Sequence, residues 1–518
     1  MQAILVYFPL IAILIYFGSA AGLVLLNALR PRFAYPWLVA AFGALLSWGL
    51  LLVVRIQVPS LIPLGNWENG SPSGSPVLLL DGFSWLFAIT LATLGLAVVL
   101  TDIARVKEAN WRSWASSLVM VALGIVAVMA GNQLTLLLAW AAIDLTEIIL
   151  WMSSVYESKT RQRIVLAFSF RAIGIMLTFW PGNDPFVFLL AVLIRLVVLP
   201  IHLPEMEQAK LRRGLGTVLR LVPPVASLVF MVRIAAVGLP TASSNLWLSL
   251  VLIIAFLASV SWVNAKDELD GRPYWVLGMS LLALASAIRN QPAASMVWGI
   301  SMVIGGGFLF LYSARARLLN ILAVITVIGI STLPYSPSWD SGRLFSAPLY
   351  SWQLLFLIPQ SLLLFGYIRN AFRPGMKPEV TEKMMWVIYP WGLFLLPLTQ
   401  YLIAYWKWQD ILQLGTGYQY PGARNPIETW SGMAVIGLII IVYSALRIIP
   451  SRIKISSQNM KVSPLMNWLV LAFLWVFRLI SDSVGLVSEL VEGDGGILWT
   501  LLLLTLLLTF FSQGGFGI

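Results

Sequence analysis

Asp144 and Glu147 stand three residues apart inside TLLLAWAAIDLTEIILWMSS, a stretch otherwise apolar enough to cross a bilayer. Arg171, Arg195 and Arg220 each interrupt a later apolar run, and Arg343 closes another. An ionised side chain at bilayer depth costs roughly 3 kcal/mol or more unless it is paired or hydrated, so each of these residues is a candidate for function. At a spacing of i and i+3 the two carboxylates share one helix face. A carboxylate can take up and release a proton, whereas a guanidinium keeps its charge. Two readings are open at this stage. The charges tie helices together as ion pairs, which composition alone favours, or they line a polar path through the membrane. Arg478, in another apolar stretch, has a local partner in Asp482 one turn later.

Two of the charged segments also carry prolines. In FVFLLAVLIRLVVLPIHLPEMEQ, Arg195 is followed by Pro200, His202 and Pro204. A proline in a helix interior removes a backbone hydrogen bond and clashes with the preceding turn, so an interrupted helix is expected here. At membrane depth such a break survives only in buried protein or beside a hydrated cavity, and a charge next to it is how many transporters build an ion site. His202, taken alone, reads as a cap on the break. ILAVITVIGISTLPYSPSWDSGRLF repeats the theme with Pro334, Pro337, Asp340 and Arg343. Two interrupted helices in the two halves of one chain suggest a pair of internal repeats.

These residues need spanning helices to hold them, and the composition provides them. Of the 518 residues 59% are hydrophobic and 11% charged, where a soluble domain has about 25% charged. Apolar segments long enough to span begin near residues 3, 34, 78, 114, 133, 162, 185, 215, 245, 273, 292, 317, 349, 385, 431, 464 and 496. The first, from Ala3 to about Leu29, is too long for a cleavable signal and reads as a spanning helix. Basic residues concentrate in alternate loops, such as Arg30/Arg32, Lys210/Arg212/Arg213 and Arg369/Arg373/Lys377/Lys383, while 58–80 and 238–244 have none. That asymmetry predicts an outer N-terminus and a cytoplasmic C-terminus. It also accounts for the net charge of +11 without nucleic acid as a partner. Cysteine is absent and His202 is the single histidine, which excludes thiolate chemistry, iron–sulfur ligation and the usual histidine metal centres. No dinucleotide fingerprint, phosphate loop or haem ligand set is present, so no cofactor is expected on this chain. Asp81, at the start of a span, reads as a helix N-cap.

At these residues the sequence resembles a family, the antiporter-like proton-channel subunits of respiratory complex I and the Mrp cation/proton antiporters. LLLDGFSWLFA (Asp81, Gly82, Ser84) resembles the family's "D-G-L-S" block, and GNQLTLLLAWAAIDL resembles "D-L-L-L-L-x-x-G-W-E". Arg171 and Gly174 resemble "N-R-x-G-D", and Arg195 to Glu205 resembles "K-S-A-Q-x-P-L-H-x-W-L-P-D", lacking two residues before the second proline. Asp270-Gly271-Arg272, LPYSPSWDS, and Tyr367 with Arg369 extend the matches over roughly 75–372. The resemblance implies an all-α polytopic membrane protein of about 14–17 transmembrane helices. It would hold two inverted five-helix repeats, each with a broken helix, over 75–240 and 241–372, between N-terminal helices in 1–74 and C-terminal helices in 373–518.

What the resemblance implies for function is translocation of protons or cations through buried charges, within a complex whose other membrane subunits are the partners. Quinone or NADH would enter only through those subunits, so this chain is at most a non-catalytic part of an NADH:quinone oxidoreductase-type translocase. The setting would be the bilayer of a bacterial cytoplasmic membrane, or a thylakoid. The ion-translocation residues would be Asp144, Glu147, Arg171, Arg195, His202, Arg220 and Arg343. Several depart from the pattern. The family glutamate falls on Ala141, one turn before Asp144; the broken-helix lysine is Arg195; a later Lys/His position falls near Leu219 or Arg220; the "H-A-F-F-K" block reads MVIGG at 302–306; and Arg343 stands near the second lysine. Arginine cannot lose its proton as a buried lysine can, although Arg195 could hold Asp144. The alternative is a non-pumping paralogue that serves as a scaffold subunit.

Overall fold

The computed structural model describes residues 6–30, 35–65, 75–105, 111–154, 158–178, 185–202, 213–240, 244–314, 317–373, 385–406, 408–422 and 424–448. The expected segments near 464 and 496, with Arg478 and Asp482, lie outside these residues. Every earlier one corresponds to a helix: α1 (Phe8–Leu29), α2 (Pro36–Val53), α3 (Gly82–Thr101), α4 (Trp111–Val128), α5 (Gln133–Ser154), α6 (Ser158–Leu177), α7 (Pro185–His202) and α8 (Arg213–Val237). They continue as α9 (Ser244–Asn264), α10 (Arg272–Ile288), α11 (Pro292–Leu311), α12 (Arg317–Ile330), α13 (Leu357–Ala371), α14 (Met385–Tyr405), the short α15 (Trp408–Gln413) and α16 (Pro426–Ile448). Among the described residues ten helices are long and apolar enough to cross a membrane, and five shorter apolar ones accompany them. The chain is an all-α, multi-pass membrane protein.

Its layering follows from hydrophobicity. A helix apolar on every side belongs in the interior, and α3, α8 and α11 pack on one another there, α11 without an exposed residue. α1, α2 and α9 bury one side and turn Leu14, Leu25, Phe42, Leu246 and Ile253 outward, as lipid-facing helices do. Two short antiparallel strands, β1 (Ser60–Pro63) and β2 (Val77–Leu80), lead into α3. Asp81 is the N-cap: its Oδ1 accepts the Ser84 amide at 2.7 Å and the Ser84 hydroxyl accepts the Asp81 amide at 2.7 Å. Arg233 of α8 adds an ion pair to the same carboxylate at 3.3 Å.

The two proline-bearing segments differ. α7 stays helical across Pro200 to His202; the His202 side chain and residues 203–212, with Pro204 and Glu205, lie outside the described residues. α12 stops at Ile330. Thr332 and Tyr335 take left-handed φ of 57° and 64°, a region costly for residues with a Cβ, and a 3-10 turn over Trp339–Phe345 follows.

Candidate functional site

Four of the singled-out charges meet between α5, α6 and α7. Arg195 donates from Nη1 to Asp144 Oδ2 at 2.8 Å and from Nη2 to Oδ1 at 3.0 Å, the two-pronged geometry that a planar guanidinium permits. Arg171 also pairs with Asp144 Oδ1, and its Nη1 donates to Glu147 Oε2 at 2.6 Å. Trp151 Nε1 completes Glu147 with a donation to Oε1 at 3.3 Å. The quartet is formally neutral. Glu147, Arg171 and Arg195 are sealed, while the Asp144 side chain retains 13% of its exposure.

Local sequence places each member. Trp140, Asp144, Glu147 and Trp151 recur at three- and four-residue intervals and therefore form one stripe on α5. Arg195 Cζ lies 4.4 Å from the centre of the Trp140 ring, and Arg220 Cζ lies 5.2 Å from that of Trp151, so aromatic faces meet the cations where hydrocarbon would repel them. Gly174 lets α6 and α7 close: a Cβ there would stand 3.0 Å from Arg195 Cγ and 3.1 Å from the Ala191 carbonyl. In α8, Pro223 and Pro224 withdraw two amides from the helix ladder. Near them Ser227 accepts from Arg195 Nε at 3.4 Å and donates to the Pro223 carbonyl at 3.2 Å, and Trp140 Nε1 donates to the Ala226 carbonyl at 3.0 Å.

Of the other candidates, Arg220 adjoins the quartet through Trp151. Arg343 belongs to a different cluster. Its Nε donates to Asp340 at 3.4 Å, its Nη2 to the Pro421 carbonyl at 2.7 Å, and its Nη1 lies 3.9 Å from Glu428 Oε2. Tyr420 and Arg424 both bind the same Asp340 oxygen. Sequence reading did not single out Tyr420, Arg424 or Glu428. Ser227 and the two tryptophans also escaped it, although the Pro223-Pro224 pair inside an apolar run was a signal for the first.

Between the clusters, α11 carries no charged residue. The 302–306 block lies in buried α11, where Trp275 packs on Gly306: a Cβ on that glycine would stand 2.8 Å from the indole nitrogen. Trp262, Trp275 and Tyr367 form a ring stack with centroids 5.6 and 5.1 Å apart, and the Tyr367 hydroxyl donates to the Gly305 carbonyl at 2.9 Å. Among the described residues no group of three or more His, Asp or Glu is placed to hold a metal ion.

The all-α, multi-pass architecture is the fold class that the sequence resemblance implied. No protein-family model matches the chain, and no curated protein matches it by sequence. Among solved structures, a chain from "Structure of Mrp complex from Dietzia sp. DQ12-45-1b" superposes with a TM-score of 0.66 at 12% identity over 98% of this chain and 63% of that one, so this chain spans less than two thirds of that relative. A chain of the membrane-bound sulfane sulfur reductase, an archaeal respiratory membrane complex, gives 0.61 at 14% identity, covering 98% of this chain and 99% of that one. A chain of respiratory complex I from Thermus thermophilus with bound Aureothin gives 0.56 at 15%, covering 78% and 98%. At these identities the likeness concerns the fold.

Proposed function

We propose that the chain is a membrane subunit of a multi-subunit assembly of the Mrp or complex I kind, and that its quartet moves protons, or cations, across the first half of the bundle. The reading rests chiefly on Asp144, the one partly open member of an otherwise sealed group. Asp144 and Glu147 are the groups of the quartet that can accept a proton. The arginines set the field and carry no proton. The two repeats, 75–240 and 241–372, are units of this subunit in the proposal. Partner membrane subunits would complete the path and hold any quinone or NADH site. The basic loops support a bacterial cytoplasmic membrane with the N-terminus outside.

The uncharged α11, with MVIGG at 302–306, favours a second reading, a scaffold subunit that pumps nothing. Proton flux into vesicles holding the purified assembly separates the two. With Asp144→Asn and the assembly intact, lost flux upholds translocation; unchanged flux overturns it in favour of the scaffold.

A further inference from the structure

The end of α12 gathers buried oxygen atoms that the quartet does not involve. The last four carbonyls of a helix have no ladder partner, and the aligned peptide dipoles make that end partly negative. Here the Ile328 carbonyl accepts from the Ser331 hydroxyl at 2.7 Å, and the Gly329 carbonyl accepts from Gln400 Nε2 at 3.0 Å. A carbonyl can only accept, so this contact fixes which end of the Gln400 amide is nitrogen. Its Oε1 therefore faces the other way, is buried, and has no hydrogen-bond partner. That oxygen takes the space that Gly329 leaves, 2.7 Å from where a Cβ would be.

A second amide lies against the same segment, at Thr332. Gln360 Nε2 donates to the Thr332 hydroxyl at 2.8 Å, and Gln360 Oε1 is buried without a partner. Gln360 and Gln400 are 4% and 3% exposed, Thr332 and Ser301 1%; the Ser301 hydroxyl lies 3.4 Å from Gln400 Nε2. Leaving a buried acceptor unsatisfied costs about 1–3 kcal/mol each, so two of them beside one helix end call for an occupant. The carboxylates behind this segment, Asp340 and Glu428, are already engaged by Arg343 and Arg424. What remains is a neutral shell of amide, hydroxyl and main-chain oxygens at the negative end of a dipole. Hard cations take oxygen ligands, and unwound carbonyls with helix C-termini are a recurring way to hold a monovalent one.

We propose that Gln400 and Gln360, with the Thr332 and Ser301 hydroxyls and the carbonyls that end α12, hold a resident monovalent cation of sodium size. It replaces a covalent positive charge at the α12 break and is held, not transported. The proposal does not rest on proton movement by Asp144. Equilibrium binding of radiolabelled Na+ to the intact assembly in lipid nanodiscs tests it. Saturable binding is expected, abolished by Gln400→Leu, weakened at least about tenfold by Gln360→Leu, and kept by Gln400→Glu, which preserves an oxygen. Absence of saturable binding in the unaltered protein would mean that the oxygens hold water only, and would overturn the proposal. Binding that survives both leucine variants would overturn it equally.

Discussion

Arg195 grips Asp144 with both terminal nitrogens, at 2.8 and 3.0 Å, while its Nε reaches Ser227 on a third helix. Arg171 takes hold of the same aspartate from α6 and passes on to Glu147. One short carboxylate therefore fixes the relative positions of α5, α6 and α7, whatever else it does.

Removing one partner of such a pair leaves the other charged and buried. Asp144→Ala is expected to lower stability by about 3–5 kcal/mol, read as a drop in the thermal unfolding temperature of the detergent-solubilised protein. Combining it with Arg195→Met should recover part of the loss. If the two changes add, with no coupling, the pair is not energetically linked.

Arg195→Lys keeps the charge but loses the fork and the flat contact with Trp140. A cost of about 1–3 kcal/mol is expected from the donors it cannot replace, seen in the same melting assay. A lysine variant as stable as the native protein would show that two-pronged geometry is dispensable.

The uncharged α11 makes a separate prediction at Gly306. Its α-carbon faces the Trp275 indole and the Phe310 ring, where a Cβ would come within 2.8 and 3.1 Å. Gly306→Val should cost about 1–3 kcal/mol through overpacking and shift tryptophan fluorescence. Trp275→Leu in the same background should relieve it.

At the start of α3, Asp81→Ala removes a capping box and the partner of Arg233 together. A loss near 2 kcal/mol is expected, the upper end for a cap, and Ser84→Ala should cost less. Equal effects would indicate that the Arg233 contact contributes nothing.

Tyr420 makes stability depend on alkaline pH. Burial, reinforced by the neighbouring Asp340 charge, pushes its phenol up from 10.0 to about 12. The folded state thus keeps a proton that the unfolded chain would release. Its contribution is complete below pH 10 and disappears as the pH rises to about 12. A pH series of melting temperatures should show that decline, and Tyr420→Phe should flatten it.

The sequence carried the scaffold more fully than the site. Runs of apolar residues and the alternation of basic loops are local signals, so α1 to α14 and α16 fall where hydropathy puts them, and Asp81 is the cap its position promised. Asp144 and Arg195 were visible as partners because each was a rare charge in an apolar run. That Arg171 would serve both carboxylates was not visible, since it depends on how α6 rotates against α5. Arg343 was read in line with the others, but its cluster is completed by Tyr420, Arg424 and Glu428, brought in from a distant segment by chain reversal. No local pattern encodes that. The break expected around Pro200 and Pro204 is only partly within the described residues, where α7 is helical as far as His202.

Apart from Arg272 and Arg369 near their ends, α10, α11 and α13 carry no charged residue. In a medium this poorly polarisable, a unit of charge shifted on the Asp144 side is felt on the Gln400 side far more strongly than it would be through water.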